Sequence, residues 1–300
     1  MIVTVTLNPS LHVRYQTGRV SLGAANPVSR VDYRAGGRGL AVARVLHTFG
    51  HDVVAAGLAG GASGEMIKDE LARGGVATQF TWISGESRRV LEVADGSAGP
   101  VTTFSEPAPY ITTEELGRLA ADYRALMADA TAAVLCGTLP SGLPAETYGS
   151  LATYAAESGV PVVLDAGGGA LGHAVTRRPA LVIPEVPAGG VQAGDPAALV
   201  ASGAAAAAIL SGDGVSVVTA AGEWSASLPK RAAALSRDAV VAGFVPGIAL
   251  NWSWPDTLAH AMALAASTDP DGDVDLEAYE RLLPGVVVAG RADGGRQLPL

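Results

Sequence analysis

Apolar residues along this chain gather in short unbroken runs, and segments of helical periodicity separate them. The runs are "MIVTVTL" at the start, "HDVVAAGLAG" (51–60), "TAAVLCG" (131–137), "VPVVLDA" (160–166) and "ALVIPE" (180–185). Continuous, β-rich runs bounded by turn residues suit strands buried on both faces of a parallel sheet. The intervening segments are "GLAVARVLHTFG" (39–50), "TTEELGRLAADYRALMADA" (112–130), "AETYGSLATYAAESG" (145–159) and "DTLAHAMALAAS" (256–267). Alternating strands and helices predict an α/β fold with a doubly wound, mostly parallel sheet flanked by helices. Two stretches depart from this. Residues 11–35 and 85–106 alternate polar and apolar positions, as in "RRVLEVAD", and predict short antiparallel strands forming a small β-sheet lid. "GAAAAAIL" (203–210) reads as a helix end feeding a strand, and the tail "GRADGGRQLPL" as frayed. No internal repeat is visible, and residues 1–300 read as one domain.

Composition narrows the function. Apolar residues at 49% supply a large core, while aromatics at 5% leave its packing to Ala, Val and Leu. One cysteine, Cys136, excludes an internal disulfide framework and a cysteine zinc site. A reducing, cytoplasmic setting is expected. "MIVTVTLNPS" has no basic n-region or long apolar stretch, so no signal peptide is expected. No segment reaches the roughly 20 apolar residues of a membrane span. A net charge of −9 argues against a nucleic-acid partner, which needs a basic face. Half of the basic residues nevertheless fall at or before Arg89, so an anionic small molecule would find its charge in the N-terminal third. There are 18 arginines and two lysines, a coding bias that weakens any inference from one Arg standing where Lys might be preferred.

Four stretches carry candidate chemistry. In "RAGGRGLAVARVLHTFG" (34–50), three glycines precede an amphipathic helix. Such a loop lets a ligand approach the backbone and presents free N–H groups, although tight turns use the same residues. "LCGTLPSGLPAETY" (135–148) ends a strand in Gly137-Thr138, where open α/β sheets place their ligands. "ILSGDGVSVVTAAGEW" (209–224) reads equally as a hairpin turn. In "RAAALSRDAVVAGF" (231–244), Asp238 stands in the first turn of an apolar helix, which suits a catalytic carboxylate and also ordinary cap and dipole chemistry. The five histidines show no metal-ligand spacing, and no Ser-His-Asp arrangement can be traced. "GLAGGASGE" (57–65) has a G-x-x-G-x-x-G spacing but lacks the lysine of a P-loop.

Taken in order, "TVTLNPSL", "GGRGLAVARVL", "ESRRVLEV", "TTFSEPAP", "CGTLPSGLPAETY", "VVLDAGGGAL", "SGDGVSVV" and "DAVVAGF" resemble the ribokinase-like (PfkB) carbohydrate kinases over nearly the whole chain. The likeness is to the phosphosugar branch, the 1-phosphofructokinase and tagatose-6-phosphate kinase type. It implies transfer of phosphate from ATP, with Mg²⁺, to a hydroxyl of a hexose phosphate, and a lid that also makes a homodimer. It implies Asp238 as catalytic base; His12, Gly36, Gly37, Arg38, Gly39, Arg88 and Gly137 on the sugar phosphate; and Ser211, Gly212, Gly214, Ser236 and Arg237 on the nucleotide. No resident metal ligand is assigned.

The chain departs from that pattern at both sides of the site. The Gly-Ala-Gly before the base reads Leu235-Ser236-Arg237, an acid expected after "TLNPSL" is His12, and Gly-Gly-Lys-Gly-x-Asn reads Gly36-Gly37-Arg38-Gly39-Leu40-Ala41. Lys-Pro-Asn reads Ile183-Pro184-Glu185. Three readings follow: an ATP-dependent phosphohexose kinase with altered motifs, a non-catalytic pseudokinase acting by ligand binding or dimerisation, or a sugar-phosphate enzyme of altered chemistry.

Overall fold

The computed structural model describes residues 1–96, 99–185, 195–212, 214–229, 235–269 and 271–292. In chain order the strands are β1 (Ile2–Thr6), β2 (Ser10–Thr17), β3 (Val28–Gly36), β4 (Val53–Gly60), β5 (Ala77–Ile83), β6 (Arg88–Asp95) and β7 (Val101–Ser105). They continue with β8 (Ala132–Cys136), β9 (Val162–Ala166), β10 (Leu181–Pro184), β11 (Ala206–Leu210), β12 (Gly214–Thr219), β13 (Gly222–Ser227) and β14 (Val287–Ala292). The helices are α1 (Arg38–Thr48), α2 (Gly61–Arg73), α3 (Thr113–Met127), α4 (Thr147–Glu157), α5 (Gly168–Val175), α6 (Pro196–Ala201), α7 (Arg237–Leu250), α8 (Trp254–Ala266) and α9 (Leu276–Leu282).

Ten strands form one sheet in the order β14-β13-β12-β11-β10-β9-β8-β1-β4-β5. Pairing is parallel from β5 to β11 and antiparallel from β11 to β14. The apolar runs seen in the sequence are its centre: every residue of β1, β8, β9 and β10 is buried. Two cores cover the two faces. One packs α1, α7 and α8 through residues such as Leu40, Val45, Phe244 and Leu258; the other packs α3 and α4 through Leu119, Tyr123, Tyr148 and Leu151. Successive connections run from β1 to β4 and β5 on one side and from β8 onward on the other. The switch point therefore falls between β1 and β8, where such sheets open a crevice at their carboxyl ends.

The second sheet has four strands in the order β3-β2-β6-β7. The alternating stretches do form it, but not wholly antiparallel. β2 and β6 pair parallel, with His12 opposite Val90. The chain leaves this sheet after β3 and returns only after passing through α1, β4, α2 and β5, and a long crossover permits parallel entry where a hairpin would not. The tail is also more ordered than its composition suggests. Gly290 and Arg291 belong to β14, which pairs with β13, while residues 293–300 lie outside the described residues. "GAAAAAIL" behaves as expected, leaving α6 and entering β11. No helix among the described residues is long and apolar enough to cross a membrane.

Candidate active site

A cavity of about 640 Å³ opens between the small sheet and the carboxyl ends of the large one. Its wall follows from strand periodicity. Side chains two apart share a face, and here Ser10, His12 and Arg14 of β2, Arg30, Asp32 and Arg34 of β3, and Arg88 and Glu92 of β6 all line it. The floor is Gly36, Gly37 and Arg38 at the start of α1, with Asp238 at the start of α7. A smaller recess of about 180 Å³ shares Gly37, Arg38 and Arg88 and adds Thr6, Asn8, Gly137, Thr138 and Glu185. Seven residues singled out in the sequence are thus gathered: His12, Gly36, Gly37, Arg38, Arg88, Gly137 and Asp238. A larger opening, about 860 Å³, lies at the amino ends of β9, β10 and β11 and contains none of them.

The remaining candidates sit differently. Gly39 lies in the first turn of α1, where a Cβ would meet the Thr6 hydroxyl and, at 2.9 Å, the Val5 carbonyl. Gly214 opens β12 and pairs with Ser227. The Ser211 amide and hydroxyl both donate to the Gly214 carbonyl, at 2.9 and 3.1 Å, closing the β11–β12 turn that also carries Gly212. None of these four, Gly39, Ser211, Gly212 and Gly214, lines either cavity. Ser236 is the N-cap of α7, its hydroxyl accepting from the Ala239 amide. In "GLAGGASGE" the helix N-terminus is already filled: the Glu86 carboxylate accepts from the amides of Ala62 and Ser63.

Arg237 turns away from its own helix and across the ends of β9 and β10. It donates to Asp165 Oδ1 at 2.7 Å and to the carbonyls of Pro184 and Ile183 at 2.9 and 3.2 Å. Asp165, fully buried, also receives Arg38 at 3.2 Å on each oxygen, and Arg38 reaches Glu185 at 2.6 Å. Two guanidiniums and two carboxylates close on one another. Burial alone would weaken the charge of Arg38, but Asp165, Glu185 and Asp238 outweigh it and raise its pKa.

Two groups stand outside this closed set. Arg88 donates to the Asn8 side-chain carbonyl at 3.2 Å, and among the described residues it forms no ion pair; burial pulls its pKa down. Asp238 is pushed up to about 6, first by burial and then by Asp165, with Arg38 and Arg237 acting in opposition. Cys136, beneath the site, is wholly buried, and burial raises its thiol well above the usual range.

The sequence profile of the pfkB family carbohydrate kinases matches residues 12–218. The chain belongs to this family. Its members are ATP-dependent sugar kinases. A tagatose-6-phosphate kinase of Staphylococcus epidermidis is 33% identical over 188 residues, covering 62% of this chain and 60% of that kinase. The match therefore spans about three fifths of that relative's length. The crystal structure of a candidate phosphofructokinase from Staphylococcus aureus superposes with a TM-score of 0.84 at 26% identity, covering 99% of this chain and all of that one. Phosphofructokinase-2 of Escherichia coli, crystallised with fructose-6-phosphate, has a TM-score of 0.81 at 22% identity, over 94% of this chain and 98% of that one, a likeness of fold.

Within the pfkB chain, sequence reasoning had not anticipated the work of Glu92, Asn8 and Glu185. Each lies far along the chain from its partner, so no local spacing marks it. Their signal is positional: Asn8 follows β1, and Glu185 follows β10, both at carboxyl strand ends. Whether the residues present could hold a metal–nucleotide group turns on their free donors. Asp165 and Glu185 are engaged by Arg38 and Arg237, and no group of three or more His, Cys, Asp or Glu among the described residues is placed to hold a metal ion. Among the described residues, the donor set does not fit that group.

Proposed function

We propose that this pfkB protein binds a phosphorylated hexose between its small sheet and α7, with the phosphate on Arg88 and a sugar hydroxyl at Asp238. One observation carries the reading: Arg88 and Asp238 line the same cavity, and Arg88 is its lining guanidinium without a carboxylate partner among the described residues. Arg14, Arg30, Arg34, Arg38 and Arg44 are each matched by Asp271, Asp32, Asp273, Asp165 with Glu185, and Glu70. A half-buried cation without a counter-charge supports an anionic ligand.

Transfer of phosphate from ATP is slow or lost in this reading. Phosphoryl transfer rests on positioning and on donors aimed at the migrating charge. Here the residue before Asp238 is an arginine whose guanidinium is spent on Asp165 and two carbonyls. The competing reading, a working phosphohexose kinase, draws on Asp238 itself. A carboxyl with a pKa near 6, opening on the sugar cavity, is suited to take a hydroxyl proton at neutral pH.

Calorimetry of MgATP and of hexose phosphates, each alone and together, separates the readings. Saturable hexose-phosphate binding that falls at least tenfold in Arg88→Ala, with no MgATP binding at millimolar concentration, is the expected result. In Arg237→Gly, MgATP binding should appear or strengthen. Clear MgATP binding and turnover by the unmodified chain would establish the kinase instead.

A further inference from the structure

We infer that Glu92, held in place by His12, is the residue that reads the hydroxyls of the bound sugar. The inference rests on the phosphohexose reading above and adds to it the device for sugar specificity. His12 Nδ1 lies 3.1 Å from Glu92 Oε1, and both side chains are about one third exposed, 34% and 27%. The parallel pairing of β2 with β6 makes this contact: His12 sits opposite Val90, so Glu92 is its diagonal neighbour on the same face. Both line the cavity that Asp238 and Arg88 share.

The imidazole is confined on its other edge. A Cβ on Gly36 would collide with His12 Cδ2 and Nε2, so the ring lies directly against that glycine. Clamped between Gly36 and Glu92, His12 has little rotational freedom. The tautomer with hydrogen on Nδ1 donates to Glu92 Oε1 and turns the carboxylate by that bond. Glu92 Oε2 accepts no hydrogen bond among the described residues. An ionised carboxylate oxygen in a partly dry wall is a strong acceptor for a sugar hydroxyl. An acid on β6 thus serves the cavity from across the sheet, while the position after "TLNPSL" holds the histidine that aims it. Glu92 is the contacting residue and His12 the positioning residue.

The test compares hexose-phosphate binding, measured by calorimetry, in the unmodified protein, Glu92→Gln, His12→Ala and His12→Asn. Inorganic phosphate and a set of deoxyhexose phosphates serve as further ligands, and circular dichroism checks the fold. Glu92→Gln should weaken hexose phosphate by about 10- to 100-fold, the range for a hydrogen bond to a charged group, and leave inorganic phosphate within about twofold. One deoxy analogue should lose a similar factor in the unmodified protein and nothing further in Glu92→Gln. His12→Ala should weaken binding less, and His12→Asn, whose amide can replace the Nδ1 donor, should recover most of it. Unchanged hexose-phosphate affinity in Glu92→Gln overturns the inference, as does an equal loss of inorganic phosphate. Failure of the unmodified protein to bind any hexose phosphate overturns the phosphohexose reading and this inference together, and is a different result from either.

Discussion

Ionising Asp238 places a negative charge in a recess that already holds the Asp165 carboxylate. Burial and that neighbour lift its pKa from 3.8 to about 6. The protonated form is favoured by folding, so this group's stabilising contribution is full below pH 3.8 and is lost as pH rises through 6. Asp238→Asn, which cannot ionise, is expected to stabilise the protein at pH 8 by about 1–2 kcal/mol, less than the shift alone implies because solvent at the cavity mouth screens the charge. Thermal melts of both proteins at pH 5 and pH 8 measure this: the gap should narrow to about half at pH 5, still above 3.8, and close only below pH 3.8. Arg237 is constrained in the opposite way. Removing it leaves buried Asp165 with Arg38 alone, so Arg237→Gly should cost about 2–4 kcal/mol of stability even where it admits nucleotide.

Helices α7 and α8 meet through missing side chains. A Cβ at Gly243 would stand 2.5 Å from Ala261 Cα, and one at Gly247 would collide with the Thr257 side chain. The obstacle at Gly243 is backbone, which cannot rotate aside. Gly243→Ala should therefore force the helices apart and cost about 1–3 kcal/mol by denaturant unfolding. Its consequences should reach the site, since α7 presents Arg237 and Asp238 in its first turn. The start of α3 is secured differently. Thr112 and Glu115 form a capping box, and Glu115 also accepts from the Ser84 amide and hydroxyl. Burial opposes its charge, yet these bonds hold its pKa near 2.

Across the molecule, the small sheet is tied to the large domain by charge. Arg14 reaches Asp271 and Arg34 reaches Asp273, both on the segment after α8. Its edge strands β3 and β7 leave Val28, Val31, Tyr33, Val101 and Phe104 exposed. We propose these residues as the place where a second copy docks, as the resemblance implies. Analytical ultracentrifugation should find a dimer, and a Tyr33→Glu, Phe104→Glu double variant should sediment as a monomer; a monomeric unmodified protein would refute the proposal.

Much of this architecture could be read before folding, because the signals are local. Continuous apolar runs mark strands covered on both faces, and β1, β8, β9 and β10 fall where those runs lie. Period-two alternation marks strands with one wet face, and the small sheet lies there. Asp238 could be placed at a helix start from an acid followed by an apolar run. Helix α2, strand β5 and strand β14 escaped notice, their runs being short, glycine-rich or mixed with polar residues. Nothing along the chain revealed that β2 and β6 run parallel, that His12 meets Glu92, or that Arg237 and Arg38 converge on Asp165. Those partners are 72 to 127 residues apart. Periodicity reports which face of an element is buried; which groups meet is set by strand order and register, and these exist only once the sheets have formed.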